Sequence, residues 1–508
     1  MTVRHRQLLR RLYRAILGYT GLVYLITAGC LLLPLLALPF YPQEAGLAWG
    51  FLLPAGALAA LGTLLWRRFS PREAVTLSWQ EGAVVVVLAW IGAIAAGSAV
   101  FVLTHGLTFT QAVFEATSGW TTTGLSVIDV TQASHLVLLL RSVLQGAGGA
   151  GLAIIMLSTL AGPVGAGLSS AEGRGDQLAP HVRRSASLVL ALYAGYAIVG
   201  TLALWAAGMN PFDAINHALG AVSTGGFSTR TASFGYWDSP GLEAVTIVLM
   251  VFGNLNFLTS WAFFRGKFRA VLRNGEVRVM AVLFPIAAIV VLASVAGAVY
   301  VSLGKAVRVA IFEVVSAGTT TGFSTVGYLD WPTLPVLVLI LLMLTGGGTG
   351  STAGGIKQYR VYVLFRALGW ELQRRLLPRT AVTTHALWVG EQRRYLDDAQ
   401  IRDAAIFVFL YFSAYFVGTG ILAAYGYSFR DSLFEFASSL GTVGLSVGVT
   451  TAGAPGGVLW TETAGMFLGR LEFYAVVVAV LKLLNDAHAA LPDLRRTGQT
   501  GTGRNRPG

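Results

Sequence analysis

Charge is scarce in this chain. Of its 508 residues, only 12% are Asp, Glu, Lys or Arg, against about 25% in a soluble domain. So few charges cannot cover a water-facing surface, which excludes an ordinary soluble fold. Cysteine is nearly absent as well. Cys30 stands alone in an apolar run, so an intrachain disulfide is excluded. No Asn-x-Ser/Thr triplet occurs. Within the apolar segments no His, Asp or Glu cluster has catalytic or metal-binding spacing, and nothing supports a membrane-embedded enzyme. What is present is apolar: 55% of residues are hydrophobic and mean hydropathy is +0.65. Glycine is plentiful at 61 residues, as expected where transmembrane helices pack closely or break. The composition predicts an all-α polytopic membrane protein.

A transmembrane helix needs about 20 predominantly apolar residues. Ten such runs occur, at roughly 18–40, 46–66, 82–104, 136–160, 185–208, 241–264, 279–303, 334–356, 403–425 and 459–484. The basic start, Arg4 to Arg14, has the outline of a signal peptide, but the apolar run after it is long and no small-x-small cleavage signal clearly ends it. With an inward N-terminus, the inner segments are 1–17, 67–81, 161–184, 265–278, 357–402 and the tail from Lys482. They hold 30 of the 36 Lys and Arg residues. The outer segments hold only Arg230, Lys305, Arg308 and Arg430. The positive-inside rule therefore predicts that both termini are cytoplasmic.

One pattern recurs four times: SGWTTTGLS at 118–126, GAVSTGGFS at 220–228, SAGTTTGFS at 316–324 and SSLGTVGLS at 438–446. Aligned on Gly124, Gly226, Gly322 and Gly444, each has Glu115, His217, Glu313 or Glu435 nine residues before and a serine two residues after. Recurrence at roughly a hundred residues predicts four structural repeats. Before each loop lies a segment too short to span, Phe109–Gly119, Phe212–Val222, Ala306–Ala317 or Phe429–Ser439, with the length of a re-entrant helix. The expected fold has ten transmembrane helices: an N-terminal hairpin, then four parallel helix–pore-loop–helix repeats around a central pore. Its parts are 1–81 for the hairpin, 82–184, 185–278, 279–402 and 403–485 for the repeats, and 486–508 for a cytoplasmic tail.

This combination reads as an ion pathway. A cation at membrane depth needs oxygen in place of water, and rings of backbone carbonyls supply it. Irregular backbone there is tolerated only where it lines a cavity. Glycine reaches the backbone angles that aim carbonyls, and a half-helix pointing its C-terminal end at the centre favours a cation. The candidate residues are Thr121, Thr122, Thr123 and Gly124; Ser223, Thr224, Gly225 and Gly226; Thr319, Thr320, Thr321 and Gly322; and Gly441, Thr442, Val443 and Gly444. None is a carboxylate, which argues for a monovalent ion and against calcium.

Gly346–Lys357 carries six glycines in twelve residues, too many for continuous helix. It is not a phosphate-binding loop, because Gln358 stands where Ser or Thr should follow the lysine. Arg470 lies mid-span, and an intramembrane charge is functional by default. Glu472 would sit on another helix face, so carbonyls and hydroxyls of the glycine-rich segment are its expected partners. Arg141, one or two turns from the outer end of its span, is read as snorkelling. Glu115, Glu313 and Glu435 are read as buried carboxylates hydrogen-bonded to backbone behind the loops, in preference to direct cation ligands. Gly146–Gly151 matches GxGxxG literally, but it sits inside an apolar span and not after a strand. No nucleotide-binding domain is found. The basic segments 161–184, 265–278 and 357–402 are expected to face a partner or anionic lipid.

Four dissimilar TTTG-like loops in one chain resemble those of the Trk/Ktr/HKT superfamily of potassium transporters, and the extra N-terminal hairpin is similar to its TrkH-like branch. GGGTGSTAGGIK at 346–357 resembles that family's intramembrane gating loop, and GRLEF at 469–473 its Arg-bearing final helix. Gly148–Gly151 also fits. The resemblance covers about residues 82–485. It implies potassium uptake through a channel-like pore in the bacterial inner membrane, with the loop residues above as selectivity filter. The implied gate comprises Gly346, Gly347, Gly348, Thr349, Gly350, Ser351, Thr352, Gly354, Gly355, Lys357 and Arg470. It further implies a homodimer with one pore per subunit, seated on a cytosolic ring of TrkA-like nucleotide-binding subunits. ATP/ADP or NAD(H) would bind that partner; for this chain no cofactor is expected, only K+ as transported ion, and no nucleic acid. Ser223–Gly226 and Gly441–Gly444 depart from TTTG and leave the degree of selectivity open. The alternative is an H+- or Na+-coupled potassium symporter, which the glycine-rich break favours and the fourfold loop pattern does not.

Overall fold

The computed structural model describes residues 3–70, 77–151, 182–378, 386–389 and 392–490. Helices α1 (Val3–Leu32) and α2 (Ala48–Phe69) pack together as a hairpin. The order long helix, short helix, loop, helix then occurs four times. The first set is α3 (Trp79–His105), α4 (Phe109–Trp120) and α5 (His135–Gly149). The second is α6 (Val182–Ala206), α7 (Pro211–Val222), α8 (Pro240–Asn254) and α9 (Phe257–Phe264), followed by the short α10 (Phe268–Arg273). The third is α11 (Gly275–Val295), α12 (Leu303–Gly318), α13 (Thr333–Thr345) and α14 (Gln358–Leu376). The fourth is α15 (Asp398–Ala424), α16 (Phe429–Leu440), α17 (Gly456–Arg470) and α18 (Glu472–Ala490).

The short helices begin where the sequence can satisfy their free N–H groups. Thr108 and Gln111 form a capping box on α4, Asn210 caps α7 ahead of Pro211, and the Ser428 hydroxyl accepts from the Asp431 N–H at the start of α16.

Six described helical segments are long and apolar enough to cross a membrane, and the pair α8–α9, bent by 118°, makes a seventh if counted as one. The difference from ten expected runs lies in the last helix of each repeat, which is broken in the second, third and fourth. Helix α5 ends at Gly149, and residues 152–160 of that expected run lie outside the described residues. Asn256 stops α8 and caps α9, its side chain accepting from the Leu258 N–H. The run expected at 334–356 is helical only to Thr345. The run expected at 459–484 breaks between α17 and α18, where Glu472 takes φ 52°. Hydropathy cannot reveal such breaks, because both halves are apolar.

Segment 357–402 is also more than a basic loop. It contains α14 and a hairpin of β1 (Ala386–Val389) and β2 (Gln392–Tyr395), with Ala386 opposite Tyr395. Leu387 and Leu396 join Val363 of α14 and Ala404 of α15 in a small core. The basic segment 161–184 lies almost wholly outside the described residues, as does the tail from 491.

One large core runs through the second to fourth repeats and includes Met250, Met343, Phe407 and Phe434. A second joins the hairpin to α3, α5 and α18 through Ile16, Phe51, Val84, Leu140 and Ala475. Large apolar side chains such as Ile198, Trp205, Ile289, Phe409 and Phe416 stay exposed on the long helices, as contact with lipid requires.

Candidate cation site

The four short helices end in the same way. Their C-cap residues are Thr121, Ser223, Thr319 and Gly441. In each, the next two N–H groups turn back onto the last turn. Thr123 N–H reaches the Ser118 carbonyl at 2.9 Å and Thr122 N–H the Gly119 carbonyl at 3.1 Å. Gly225 and Thr224, Thr321 and Thr320, and Val443 and Thr442 repeat both bonds. This is a Schellman ending, whose left-handed position ordinarily belongs to glycine. Here it is threonine every time: Thr122, Thr224, Thr320 and Thr442 have φ of 56°, 52°, 55° and 51°. A β-branched residue in that conformation is strained, at about 1–3 kcal/mol each. Four equivalent strained threonines point to a need for their hydroxyls. Those of Thr122 and Thr442 are buried and find no hydrogen-bond partner in the protein.

The following glycines close a ring. Gly124, Gly226, Gly322 and Gly444 also have positive φ. A Cβ on Gly124 would lie 2.3 Å from the Gly225 carbonyl oxygen, one on Gly226 2.1 Å from that of Thr321, and one on Gly322 1.8 Å from that of Val443. One on Gly444 would lie 2.2 Å from that of Thr123. Each repeat thus packs its glycine on the carbonyl just before the glycine of the next, and the fourth returns to the first. All the sequence-predicted loop residues converge here, and their threonines and serines are fully buried. Beyond the glycines opens a cavity of about 500 Å³, lined among others by Ser126, Ser228, Ser324 and Ser446.

The recurring acids lie behind the loops. Glu115 accepts from the Val127 N–H at 2.9 Å, Glu313 from Thr325 at 2.8 Å, and Glu435 from Val447 at 2.9 Å and Thr450 at 3.0 Å. In the second repeat His217 Nε2 meets the Ser228 hydroxyl at 2.9 Å. These contacts brace the chain as it leaves each loop. Arg141 departs from its expected role. It does not snorkel but is buried, with Nε 2.8 Å from Glu115. It also donates to the Ser126 hydroxyl at 2.9 Å and the Ser228 carbonyl at 3.0 Å, with Phe227 beneath its guanidinium at 4.0 Å. A buried Glu115 left without a partner would be costly, and Arg141 supplies that partner, a pairing that outline and hydropathy cannot show.

On the face opposite the cavity, the glycine-rich segment 346–357 presses against the loops. Gly354 N–H donates to the Thr320 hydroxyl at 2.9 Å. The Thr352 hydroxyl lies 3.1 Å from that of Thr224 and 2.9 Å from the Gly253 carbonyl. A Cβ on Gly354 would sit 2.0 Å from the Thr442 hydroxyl. Arg470 donates to the Thr352 carbonyl and, at 2.7 Å, to the Gly148 carbonyl. Glu472 instead pairs with Arg360 of α14 at 2.5 Å. Lys357 Nζ caps the Ala353 carbonyl at 2.5 Å. Three residues that sequence reasoning missed hold the segment's other edge. Gly348 N–H meets the Asn254 carbonyl at 3.2 Å, Asn256 donates to the Thr349 carbonyl at 2.5 Å, and Glu276 accepts the Thr349 N–H at 2.7 Å. For Asn254 and Asn256 the signal was polarity inside the apolar run 241–264, whereas Glu276 lies in the basic segment 265–278 and carried none.

A family model described as TrkH, cation transport protein, matches residues 55–490. The Trk system potassium uptake protein TrkH of Escherichia coli K12 is 31% identical over 482 residues, covering 92% of this chain and 98% of that one. A cation transporter of Methanocaldococcus jannaschii is 30% identical, over 88% of this chain and 91% of its own length. The crystal structure of the potassium transporter TrkH from Vibrio parahaemolyticus matches with a TM-score of 0.81 at 28% identity, covering 92% of this chain and 98% of that one.

Proposed function

The chain belongs to the TrkH family of cation transport proteins, and on that premise we propose that it carries potassium into the cell through a channel-like pathway between its four loops. The observation that carries this reading is the closed ring of Gly124, Gly226, Gly322 and Gly444 against the carbonyls of Gly225, Thr321, Val443 and Thr123. Backbone oxygens gathered around one axis can replace the hydration shell of a monovalent cation. The unpartnered hydroxyls of Thr122 and Thr442 add oxygen one step deeper. In this reading the chain crosses the membrane ten times, the broken last helices counting as spans. An N-terminal hairpin (1–81) flanks four parallel repeats (82–184, 185–278, 279–402 and 403–485), with a cytoplasmic tail from 486.

The filter comprises Thr121–Gly124, Ser223–Gly226, Thr319–Gly322 and Gly441–Gly444. Segment 346–357 blocks the pathway beneath it, and Arg470 holds that block in place. The cavity lined by the four serines is the outer mouth, and the basic inner segments put both termini in the cytoplasm. Two copies assemble in the plasma membrane, and a separate cytosolic nucleotide-binding subunit controls the gate through segment 357–402. The test is electrical. In proteoliposomes, current should reverse at the potassium equilibrium potential. A reversal that moves with an imposed sodium or proton gradient identifies a coupled symporter instead.

A further inference from the structure

The second loop lacks the side chain that locks two of its counterparts. At the third loop position the first and third repeats carry Thr123 and Thr321. Each hydroxyl bonds that of the first position, Thr121 or Thr319, at 2.8 Å. The fourth repeat carries the buried Val443 there. The second repeat carries Gly225, which brings nothing of its own. The space is not empty. Gln145, from α5 of the first repeat, reaches across and fills it. A Cβ on Gly225 would lie 2.4 Å from Gln145 Cδ. Gln145 Nε2 donates to the Gly225 carbonyl at 2.5 Å, and Oε1 accepts from the Phe227 N–H at 3.2 Å. Only one orientation of the amide satisfies both contacts. Gln145 is fully buried.

The position of Gln145 within the repeat sharpens the point. It stands three residues before Gly148. Met250, Met343 and Met466 stand three residues before Gly253, Gly346 and Gly469. Gly148, Gly253 and Gly469 each pack against the carbonyl four residues before their own loop's glycine, those of Trp120, Val222 and Leu440, so they are equivalent. The second and fourth repeats therefore place an unbranched apolar side chain where the first places an amide, and Met343 keeps the same spacing in the third. That amide faces the one loop with glycine at its third position. The Gly225 carbonyl it holds is a member of the four-carbonyl ring against which Gly124 packs.

We infer that Gln145 is a positioning residue for ion selection. It supplies to the second loop, from the neighbouring repeat, the restraint that Thr123 and Thr321 supply within their own loops, and it fixes the Gly225 carbonyl in the ring. This rests on the reading of the four loops as a selectivity filter. Among the described residues, Gln145 supplies the side-chain hydrogen bonds to the Gly225–Phe227 backbone, and its removal leaves that backbone without them. The carbonyl can then turn, and discrimination between potassium-sized and smaller cations weakens while the remaining loops keep conducting.

The test moves the restraint from one chain segment to the other. Rubidium flux with sodium competition is measured in proteoliposomes for Gln145→Met, Gln145→Ala, Gly225→Thr and the pair Gln145→Ala with Gly225→Thr. Gln145→Met keeps the volume and removes both hydrogen bonds, so preference for rubidium over sodium should fall by about tenfold. Gly225→Thr alone should lose transport, because its side chain overlaps Gln145. In the pair, the new hydroxyl can bond that of Ser223, as in the first and third loops, and preference should recover well above that of Gln145→Ala. A purely structural role would instead lower yield and melting temperature together with preference, and the pair would be no better than Gln145→Ala.

Parent-like preference in Gln145→Met overturns the assignment. So does a pair that fails to accumulate, or that accumulates without discriminating. Gly322→Ser, run alongside, separates the two readings. If it loses preference while Gln145→Met keeps it, the role of Gln145 fails and the filter stands. If Gly322→Ser keeps preference, the filter itself is misplaced.

Discussion

The four loops and the glycine-rich segment beneath them are built from the same materials and held in opposite ways. Both consist of glycine and hydroxyl residues, and both are buried. Each loop is fixed by two bonds into its own helix, by a neighbour's glycine, and by a brace from behind. Removing any one leaves the others. The glycine-rich segment also packs closely, Gly354 on Thr442 for example, but its polar tethers come from separate elements, among them Asn254, Asn256, Glu276, Thr320 and Arg470. Close packing is bistable at best and does not bend gradually, so it suits a geometry that must stay fixed. A few replaceable hydrogen bonds of about 1 kcal/mol each suit one that, in the proposed gating, lets go.

The sharpest way to break this contrast is at the rigid end. In Gly322→Ser the Cβ would lie 1.8 Å from the Val443 carbonyl oxygen, at a backbone angle of φ 86°. Strain and overpacking together should lower rubidium uptake in potassium-transport-deficient cells by on the order of a hundredfold, with sodium competing better. Uptake at the parent level would mean that the loops tolerate movement and the contrast is false.

The movable end should respond in the opposite direction. Arg470→Ala removes donation to the Thr352 and Gly148 carbonyls. Charge-assisted bonds contribute about 1.5–3 kcal/mol each, so basal rubidium flux into liposomes should rise by roughly tenfold or more. Deleting much of Gly346–Gly355 should act alike. Folded variants of both kinds with parent-level flux would place the constriction elsewhere.

The smallest effect on the bare chain should come from neutralising Arg374, Arg375, Arg393 and Arg394 together. Arg374 and Arg375 are exposed near the end of α14, and surface changes of this kind shift energies by about 0.5 kcal/mol, so basal flux should stay within about twofold of the parent. Co-purification with the regulatory subunit and opening by added nucleotide should both be lost. If the subunit still binds and nucleotide still opens the pathway, this surface is not where control enters.

The parts of this design that lie in local chemistry are legible in the sequence. The loops show themselves because threonine and glycine recur in register inside apolar surroundings. Segment 346–357 shows itself because no helix tolerates so many glycines. The acids behind the loops are visible from their constant spacing, and Arg470 from its cost in lipid. What is hidden depends on partners distant in the chain. Arg141 looks like a snorkelling side chain until Glu115 is brought beside it. Gln145 is one polar residue in an apolar helix until Gly225 leaves room for it. The breaks at Asn256 and Leu471 interrupt runs that are apolar on both sides. The hairpin 386–395 is short and hidden among basic residues.

The ring has a consequence for how the molecule is made. Its last contact joins Gly444 to Thr123, the fourth repeat to the first. A ribosome delivers the repeats one after another, so the first loop waits for its second neighbour until nearly the whole chain has entered the membrane. Until then the first loop lacks part of the packing that offsets the strain of its left-handed Thr122, about 1–3 kcal/mol. The ring of glycines and carbonyls therefore closes only with the fourth repeat.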